Sequence, residues 1–210
     1  MLPENILDLF WRIPALLLAI TFHEYAHGRV AYHFGDATAK YYGRLSLNPL
    51  RHLDPLGTIT LLLFGFGWAK PVPINPYNFR DYRSGMLWVS FAGPLANFAL
   101  ALASLFLLYL PMKAGFIWPP YYRFMHILVT FNILLGVFNL IPLPPLDGSK
   151  ILAALAPDNI AALIRQLEPY APILLMVLIF SGAIGRIIVP LFQYVYNAME
   201  AVVFLILGIA

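Results

Sequence analysis

Long runs of apolar side chains, separated by short polar stretches, dominate this sequence and predict helices that cross a membrane. A membrane-spanning helix needs about 20 mainly apolar residues. Runs of about this length occupy residues 6–34, 86–111, 122–141, 170–189 and 191–209. We therefore predict an all-α polytopic membrane protein with about five to six membrane helices. In it, 86–141 forms a helical hairpin and 170–209 a C-terminal helix pair, within one membrane-embedded domain over 1–210.

Residues 41–83, between the first helix and the second long helix, show a different pattern. They are rich in Pro and Gly, and their apolar run at 56–66 is short for a membrane span. Segments 44–48 and 68–75 alternate as strands do, with prolines that limit pairing to an edge. We predict a re-entrant or β-like insertion here, which must be covered by protein or line a water-filled cavity.

Composition supports the membrane assignment and excludes other classes. Of the 210 residues, 61% are hydrophobic and 11% are charged. A soluble domain has about 45–50% apolar and about 25% charged residues, and disorder requires low hydrophobicity. The net charge of +3 rests on only 13 basic residues without a cluster, which predicts a lipid bilayer partner and no nucleic acid. The absence of cysteine excludes disulfides and thiolate sites.

One polar cluster, His23-Glu24-x-x-His27, lies inside the first apolar run. Residues four apart share a helical face, so both imidazoles can reach one point, as zinc ligands do. Glu24 lies beside the first histidine and can act as a general base toward water. Because a carboxylate inside a span costs about 2.5–3.5 kcal/mol on insertion scales, a chance pairing of histidines is the weaker alternative. The pattern predicts a metal site.

A zinc site of this kind needs a third protein ligand. His33 lies about 240° around the helix from His27 and faces away. The acidic candidates are Asp36, Asp54, Asp81, Asp147 and Asp158. Asp147 is favoured because it follows a span directly, and prolines are expected to hold 142–148 extended. An ordinary surface-loop role for Asp147 stays open.

Topology connects these predictions. The histidines lie toward the C-terminal end of the first helix, and Asp147 reaches the same side only if 56–66 does not span. Eight basic residues then fall on the metal side and four on the other, which places the metal side in the cytoplasm by the positive-inside rule. The metal side carries Lys40, Arg44, Arg51, Lys70, Arg80, Arg83, Lys150 and Arg165; the other carries Arg12, Lys113, Arg123 and Arg186.

These motifs together resemble the site-2 protease family, intramembrane zinc metalloproteases of the M50 peptidase class. The resemblance is greatest to the small prokaryotic branch without PDZ or CBS domains. It rests on HExxH at 23–27 and on NLIPLPPLDG at 139–148. It extends over nearly the whole chain through GRLSLNP at 43–49, GWAKPVP at 67–73 and GPLAN at 93–97.

The resemblance implies one Zn²⁺ per chain, with His23, His27 and Asp147 as ligands and Glu24 as the catalytic base. It implies regulated cleavage of a transmembrane segment in a membrane-protein substrate, at a site that opens toward the cytoplasm of a prokaryotic cell. Two rival classes stay open. A metal-ion or proton transporter would show a polar path through the helices, and a non-catalytic binder of the same fold would have lost a ligand or the base.

Two asparagines match family motifs and are candidates for binding the substrate backbone or the oxyanion. They are Asn97 and Asn139, and an equal alternative is a polar contact between membrane helices. His52 and Asp54 are expected to shape the insertion, with a second polar cluster as the alternative. His126 is expected to be a packed polar residue.

Overall fold

The structure, a computed structural model, describes residues 6–57, 60 and 69–209, and these are predominantly helical. The helices are α1 (Ile6–His33), α2 (Thr38–Tyr41), α3 (Tyr82–Lys113), α4 (Pro119–Asn139), α5 (Asp147–Leu155), α6 (Asp158–Leu167), α7 (Ala171–Phe180) and α8 (Ala183–Leu207). Short 3₁₀ helices occupy Pro49–Arg51, Pro76–Asn78 and Glu168–Tyr170. The described residues contain no strand, which confirms the all-α prediction.

Four helical segments of the described chain are long and apolar enough to cross a membrane: Tyr82–Lys113, Pro119–Asn139, Asp158–Phe180 and Ala183–Leu207. α1 has 28 residues, which at 1.5 Å per residue gives it a length of about 42 Å. Its length therefore suffices to span a membrane.

The C-terminal helices differ from the prediction. The predicted spans at 170–189 and 191–209 put the end of one helix and the start of the next near Pro190. In the structure the chain turns at Gly182, and Pro190 lies inside α8. Gly182 has φ of 72°, a left-handed conformation that glycine adopts without steric cost. A membrane helix tolerates proline because neighbouring groups satisfy the freed backbone. After Asp147 the chain forms α5 and α6, and α6 continues through the 3₁₀ turn into α7.

α1 and α3 are antiparallel, so the segment between them begins and ends at the same end of the helix pair. Arg80 N donates to Phe34 O at 3.1 Å, which joins the last residues of this segment to its first. This agrees with the topology that the metal site required. Residues 58–59 and 61–68 lie outside the described residues, so most of the 56–66 run, with its predicted re-entrant path, stays a prediction.

The strands predicted at 44–48 and 68–75 are wrong for the residues that the structure describes there. The pairing that it does contain is an isolated antiparallel bridge between Leu53 and Ala69. Prolines interrupt the backbone donors of 69–75, and buried side chains bind several of the remaining backbone groups, as described below.

A closely packed apolar cluster joins α3, α4 and α8. Its buried members are Ala101, Leu105, Leu108, Val129, Ile133, Val137 and Val203. α4 also contacts α1, so the polar face of α1 is held against two long helices. The cluster therefore forms a rigid apolar support beside the polar residues of α1.

Candidate active site

The two histidines of α1 point at one another and at α3. His23 Nε2 and His27 Nε2 are 2.9 Å apart, and each residue is 7% exposed. His27 Nδ1 lies 2.6 Å from Val89 O, and His23 Nδ1 lies 2.7 Å from Asn97 Oδ1. Because these oxygens accept hydrogen bonds, each Nδ1 carries the hydrogen and each Nε2 presents a lone pair.

Asp147 completes the cluster from the first position of α5. Its Oδ2 lies 3.3 Å from His23 Nε2 and 3.1 Å from His27 Nε2. Among the described residues this buried oxygen has no hydrogen-bond partner, whereas Oδ1 lies 3.6 Å from Lys150 Nζ. The structure therefore brings His23, His27 and Asp147 together, as the sequence predicted.

The chain reaches Asp147 by turns, which corrects the prediction that 142–148 is extended. Leu143 N donates to Ile141 O at 2.7 Å, and Leu146 N donates to Leu143 O at 2.9 Å. The helix α5 then starts at Asp147, and Gly148 packs so closely that a Cβ there would lie 2.3 Å from Leu140 O. The prolines prevent a helix, as expected, but they permit turns that fold the backbone back on α5.

The donor set of the three residues fits a metal ion. Ligand atoms of His23, His27 and Asp147 lie within 4.8 Å of one another. Two nitrogen lone pairs and a carboxylate oxygen repel one another unless a cation lies between them, and zinc accepts these ligands at about 2.0–2.2 Å. On the facing helix, a Cβ on Gly93 would lie 2.4 Å from His27 Nε2 and 2.6 Å from His23 Nε2. The bare glycine therefore leaves the space in front of both nitrogens open.

Glu24 follows His23 on α1 and is half-buried. Its Oε2 accepts a hydrogen bond from Val72 N at 2.7 Å. Val72 also packs over α1, since a Cβ on Gly28 would meet Val72 Cγ1 at 3.3 Å. The backbone of the insertion therefore lies across the helix that carries HExxH and fixes the Glu24 carboxylate.

Two buried charged side chains hold this part of the insertion, residues 69–75, in place. Arg44 Nη2 donates to the carbonyl oxygens of Lys70 and Pro71. At the other end, Asp36 Oδ2 accepts from Asn75 N at 2.7 Å. Both charged residues lie outside HExxH. The sequence analysis considered Asp36 as a possible metal ligand and Arg44 only as a basic residue of the metal side.

Asp36 is fully buried and accepts several hydrogen bonds. Its Oδ1 accepts from Thr38 N at 3.0 Å and from Asn78 Nδ2 at 2.8 Å, in addition to the Thr38 hydroxyl. Burial alone would raise the pKa of Asp36, but the hydrogen bonds from Thr38, Asn75 and Asn78 lower it below its ordinary value. Asp36 is therefore a structural anion, and the described residues do not place it with the histidines.

The remaining candidates lie apart from the metal group. His33 lies outside the metal group, as its helical angle predicted. The expectation that His126 is a packed residue is wrong, because its side chain is exposed on the surface of α4. His52 is buried with Nε2 2.8 Å from Ser46 O, and Asp54 Oδ1 accepts from Gly57 N at 2.8 Å. These contacts support the view that His52 and Asp54 shape the insertion.

The two asparagine candidates make contacts within the protein. Asn139 Nδ2 donates to Leu135 O at 3.0 Å inside α4. Asn97 is fully buried, and its amide contacts His23, the backbone of Ala19 and Asn132. Substrate binding by Asn97 or Asn139 stays a prediction. The contacts of Asn97 are those of a residue that orients the imidazole of His23. Asn132 was not singled out by the sequence reasoning, although its position in an apolar span was a usable signal.

Two helical histidines and an aspartate that could hold a metal ion, with a carboxylate beside them and apolar helices around them, are the arrangement expected of a membrane metallopeptidase. Comparison with known proteins agrees. The family model for peptidase family M50 matches residues 118–181, which include Asp147. No solved structure matches the chain.

Three relatives carry names that designate them as candidate zinc metalloproteases. YwhC of Bacillus subtilis (strain 168) is 43% identical over 181 residues, 84% of this chain and 83% of that protein. Rip2 of Mycolicibacterium smegmatis is 29% identical over 184 residues, 83% of this chain and 68% of its own. MJ0611 of Methanocaldococcus jannaschii is 35% identical over 140 residues, 62% and 63% of the two chains. The chain belongs to peptidase family M50 and is a zinc metalloprotease integral to a membrane, as its motifs predicted.

Proposed function

We propose that the protein is an intramembrane zinc endopeptidase, which cleaves a transmembrane segment of a membrane-protein substrate. His23, His27 and Asp147 hold the zinc ion, and Glu24 is the general base. The observation that carries this proposal is the convergence of three buried lone-pair donors directly beside a carboxylate, on helices that pack into a membrane-spanning bundle.

The chemistry divides between the ion and the protein. Bound zinc polarises the scissile carbonyl and lowers the pKa of water toward about 7. Glu24 accepts a proton from the attacking water on its carboxylate and then donates it to the departing amine. The hydrogen bond from Val72 N to Glu24 Oε2 holds the carboxylate in one orientation during both transfers. The imidazoles keep their Nδ1 hydrogens throughout, because Val89 O and Asn97 Oδ1 bind them.

The substrate approaches beside residues 69–75. An intact helix hides its peptide bonds, so the substrate unwinds locally and can then pair with this segment as an added strand. The N–H groups of Lys70, Val72 and Asn75 already donate to His52 O, Glu24 and Asp36. The carbonyl oxygens of Lys70 and Pro71 accept from Arg44, so the pairing uses other carbonyl oxygens of the segment as acceptors for N–H groups of the substrate.

The orientation follows from charge. The C-terminal end of α1 and the N-terminal end of α3 lie together, and five of the eight basic residues assigned above to the metal side lie in the segment that joins them: Lys40, Arg44, Arg51, Lys70 and Arg80. By the positive-inside rule this end faces the cytoplasm of a prokaryotic cell membrane. The active site then opens to the cytoplasmic side. The transporter alternative would need a polar path across the bundle, whereas in the described residues the buried asparagines beside His23 lead only as far as Leu128 O in α4.

Zinc content and cleavage of a candidate transmembrane segment, measured in detergent on the same preparations, test the proposal. Glu24→Gln should retain zinc and lose cleavage by about 10²–10⁴-fold, because only the proton acceptor is removed. Asp147→Ala should lose zinc as well. Asp158→Asn is the matched control, since its side chain is 98% exposed and lies outside the metal group. Equal cleavage by wild type and Glu24→Gln, both with zinc bound, would contradict the proposal.

A further inference from the structure

A chain of hydrogen bonds runs from His23 away from the metal group into the next two helices. His23 Nδ1 donates to Asn97 Oδ1 at 2.7 Å, and Asn97 Nδ2 donates to Asn132 Oδ1 at 2.9 Å. Asn132 Nδ2 in turn donates to Leu128 O at 2.8 Å, and Asn97 Nδ2 also donates to Ala19 O at 3.0 Å. Both asparagines are 0% exposed, so the chain crosses α1, α3 and α4 without contact to solvent.

The direction of every bond in this chain is fixed by its two ends. Leu128 O and Ala19 O are backbone carbonyls, which can only accept, so the atoms that face them must be amide nitrogens. Asn132 consequently turns its oxygen toward Asn97, and Asn97 turns its oxygen toward His23. A reversed Asn97 amide would direct two acceptors, Ala19 O and Asn132 Oδ1, at its own oxygen, which is costly in a buried site.

This direction decides which nitrogen of His23 can bind a metal. An acceptor opposite Nδ1 requires hydrogen on Nδ1, which leaves the lone pair on Nε2, where Asp147 and His27 converge. If the Asn97 amide reversed, its NH₂ would face Nδ1. The imidazole would then carry its hydrogen on Nε2, and that nitrogen could not act as a ligand. The orientation of the Asn97 amide on α3 therefore controls whether Nε2 of His23 on α1 can bind a metal ion.

We propose that Asn132 is a positioning residue which, through Asn97, holds His23 in the tautomer that presents Nε2 to zinc. The proposal rests on the proposed function only in taking His23 as a zinc ligand. His27 provides an internal comparison, because the acceptor that faces its Nδ1 is a backbone carbonyl, Val89 O, at 2.6 Å. Side-chain substitutions at Asn97 and Asn132 should therefore act on His23 and spare His27.

The first measurement is ¹⁵N spectroscopy of the full chain in detergent with labelled histidine, after zinc removal. The chain has five histidines, and His23→Gln identifies the resonances of His23. Wild type should show the Nδ1–H form at both His23 and His27. Asn132→Leu should give mixed tautomers at His23 alone. An Nε2–H form of His23 in the wild type would overturn the proposal directly.

The second measurement is zinc affinity by competition with a chelator. Asn97→Leu should weaken zinc binding about 10–100-fold, as does the loss of the hydrogen-bond partner of a ligating histidine, and Asn132→Leu should weaken it less. The double variant should equal Asn97→Leu, because Asn132 acts only through Asn97. Ser104→Ala is the control. It removes a buried hydroxyl of α3 that donates to Leu100 O and takes no part in the hydrogen bonds between His23, Asn97 and Asn132, so zinc affinity should not change.

Wild-type zinc affinity together with the wild-type tautomer in folded Asn132→Leu would refute the proposal, and so would additive losses in the double variant. If Asn132→Leu does not fold, Asn132→Ala removes the same acceptor without added bulk. The outcomes separate this proposal from the proposed function. A chain that binds zinc through His23 but cleaves no membrane segment would refute the protease mechanism and leave the role of Asn132 intact.

Discussion

Replacing Gly93 with alanine tests whether α3 is shaped to leave room for a metal ion. A Cβ at this position would lie 2.4 Å from His27 Nε2, 2.5 Å from His23 Cε1 and 2.6 Å from His23 Nε2. Ordinary contact begins at 3.4 Å, so the methyl group would approach the rings roughly 1 Å too closely. The rings cannot retreat easily, because Asn97 and Val89 O bind their far sides.

Two effects on stability oppose one another. Overpacking of this kind costs about 1–3 kcal/mol, while alanine in a helix interior is favoured over glycine by up to about 1 kcal/mol. The free energy of unfolding should therefore fall by only about 0–2 kcal/mol. Zinc affinity should fall by at least roughly 10–100-fold, the loss that follows when a ligating histidine loses its supporting hydrogen bond, because the methyl group occupies the space in front of both nitrogens.

The assay combines chelator competition for zinc with thermal unfolding of the metal-free chain. Gly185→Ala in α8 is the matched control, since a Cβ there meets nothing within 4 Å. That variant should keep its zinc affinity and gain up to about 1 kcal/mol of stability. If Gly93→Ala binds zinc as tightly as the wild type, the reasoning about this cavity is wrong. An equal loss of zinc in Gly185→Ala would point to a general effect of alanine instead.

Three further outcomes follow from the site and its support. Asp36→Asn should lower the free energy of unfolding by about 1–3 kcal/mol through lost hydrogen bonds, and reduce cleavage while zinc content stays at the wild-type level. Because the folded state lowers the pKa of Asp36, the carboxylate stabilises the protein at pH above 3.8, and that contribution disappears as the pH falls further. The stability difference between wild type and Asp36→Asn should shrink accordingly in acid unfolding curves. Arg44→Met should also lower cleavage more than zinc content, measured on one preparation, because it releases the carbonyls of Lys70 and Pro71. Removal of zinc with a chelator should lower the thermal midpoint reversibly, by the equivalent of about 2.7 kcal/mol when free zinc had been at 100 times its Kd; an unchanged midpoint would argue against a bound metal.

The elements that sequence reasoning placed well are those with strong local signals. Apolar runs located the helices α3 and α4 to within a few residues, because a span has a fixed minimum length and composition. Sequence reasoning was wrong where local signals compete. Pro190 suggested a helix end, yet it lies within α8 because the turn needed the left-handed backbone of Gly182. The prolines before Asp147 suggested an extended chain, whereas close packing against Gly148 produced turns.

The spacing of residues in the sequence was enough to place the two predicted histidine ligands and the predicted general base close together. The four-residue spacing of His23 and His27 places both on one face of any helix, whatever surrounds it, and Glu24 comes with them. The predicted third ligand could be inferred only as one of several acids, of which Asp147 was favoured by its position directly after a span, behind prolines. Distance in the chain does not report proximity in space, so the meeting of α1 with the start of α5 was decided by tertiary packing.

Only the tertiary structure decided what surrounds these residues. Gly93 leaves the metal space open, Val72 N holds Glu24, and Asn132 reaches His23 through Asn97. Each of these contacts joins residues more than thirty positions apart in the chain. Each would be lost if the atoms moved apart by more than a few tenths of an ångström. Residue types along a chain specify which chemical groups are present. Only the packed helices specify which nitrogen carries the hydrogen and which side the lone pair faces.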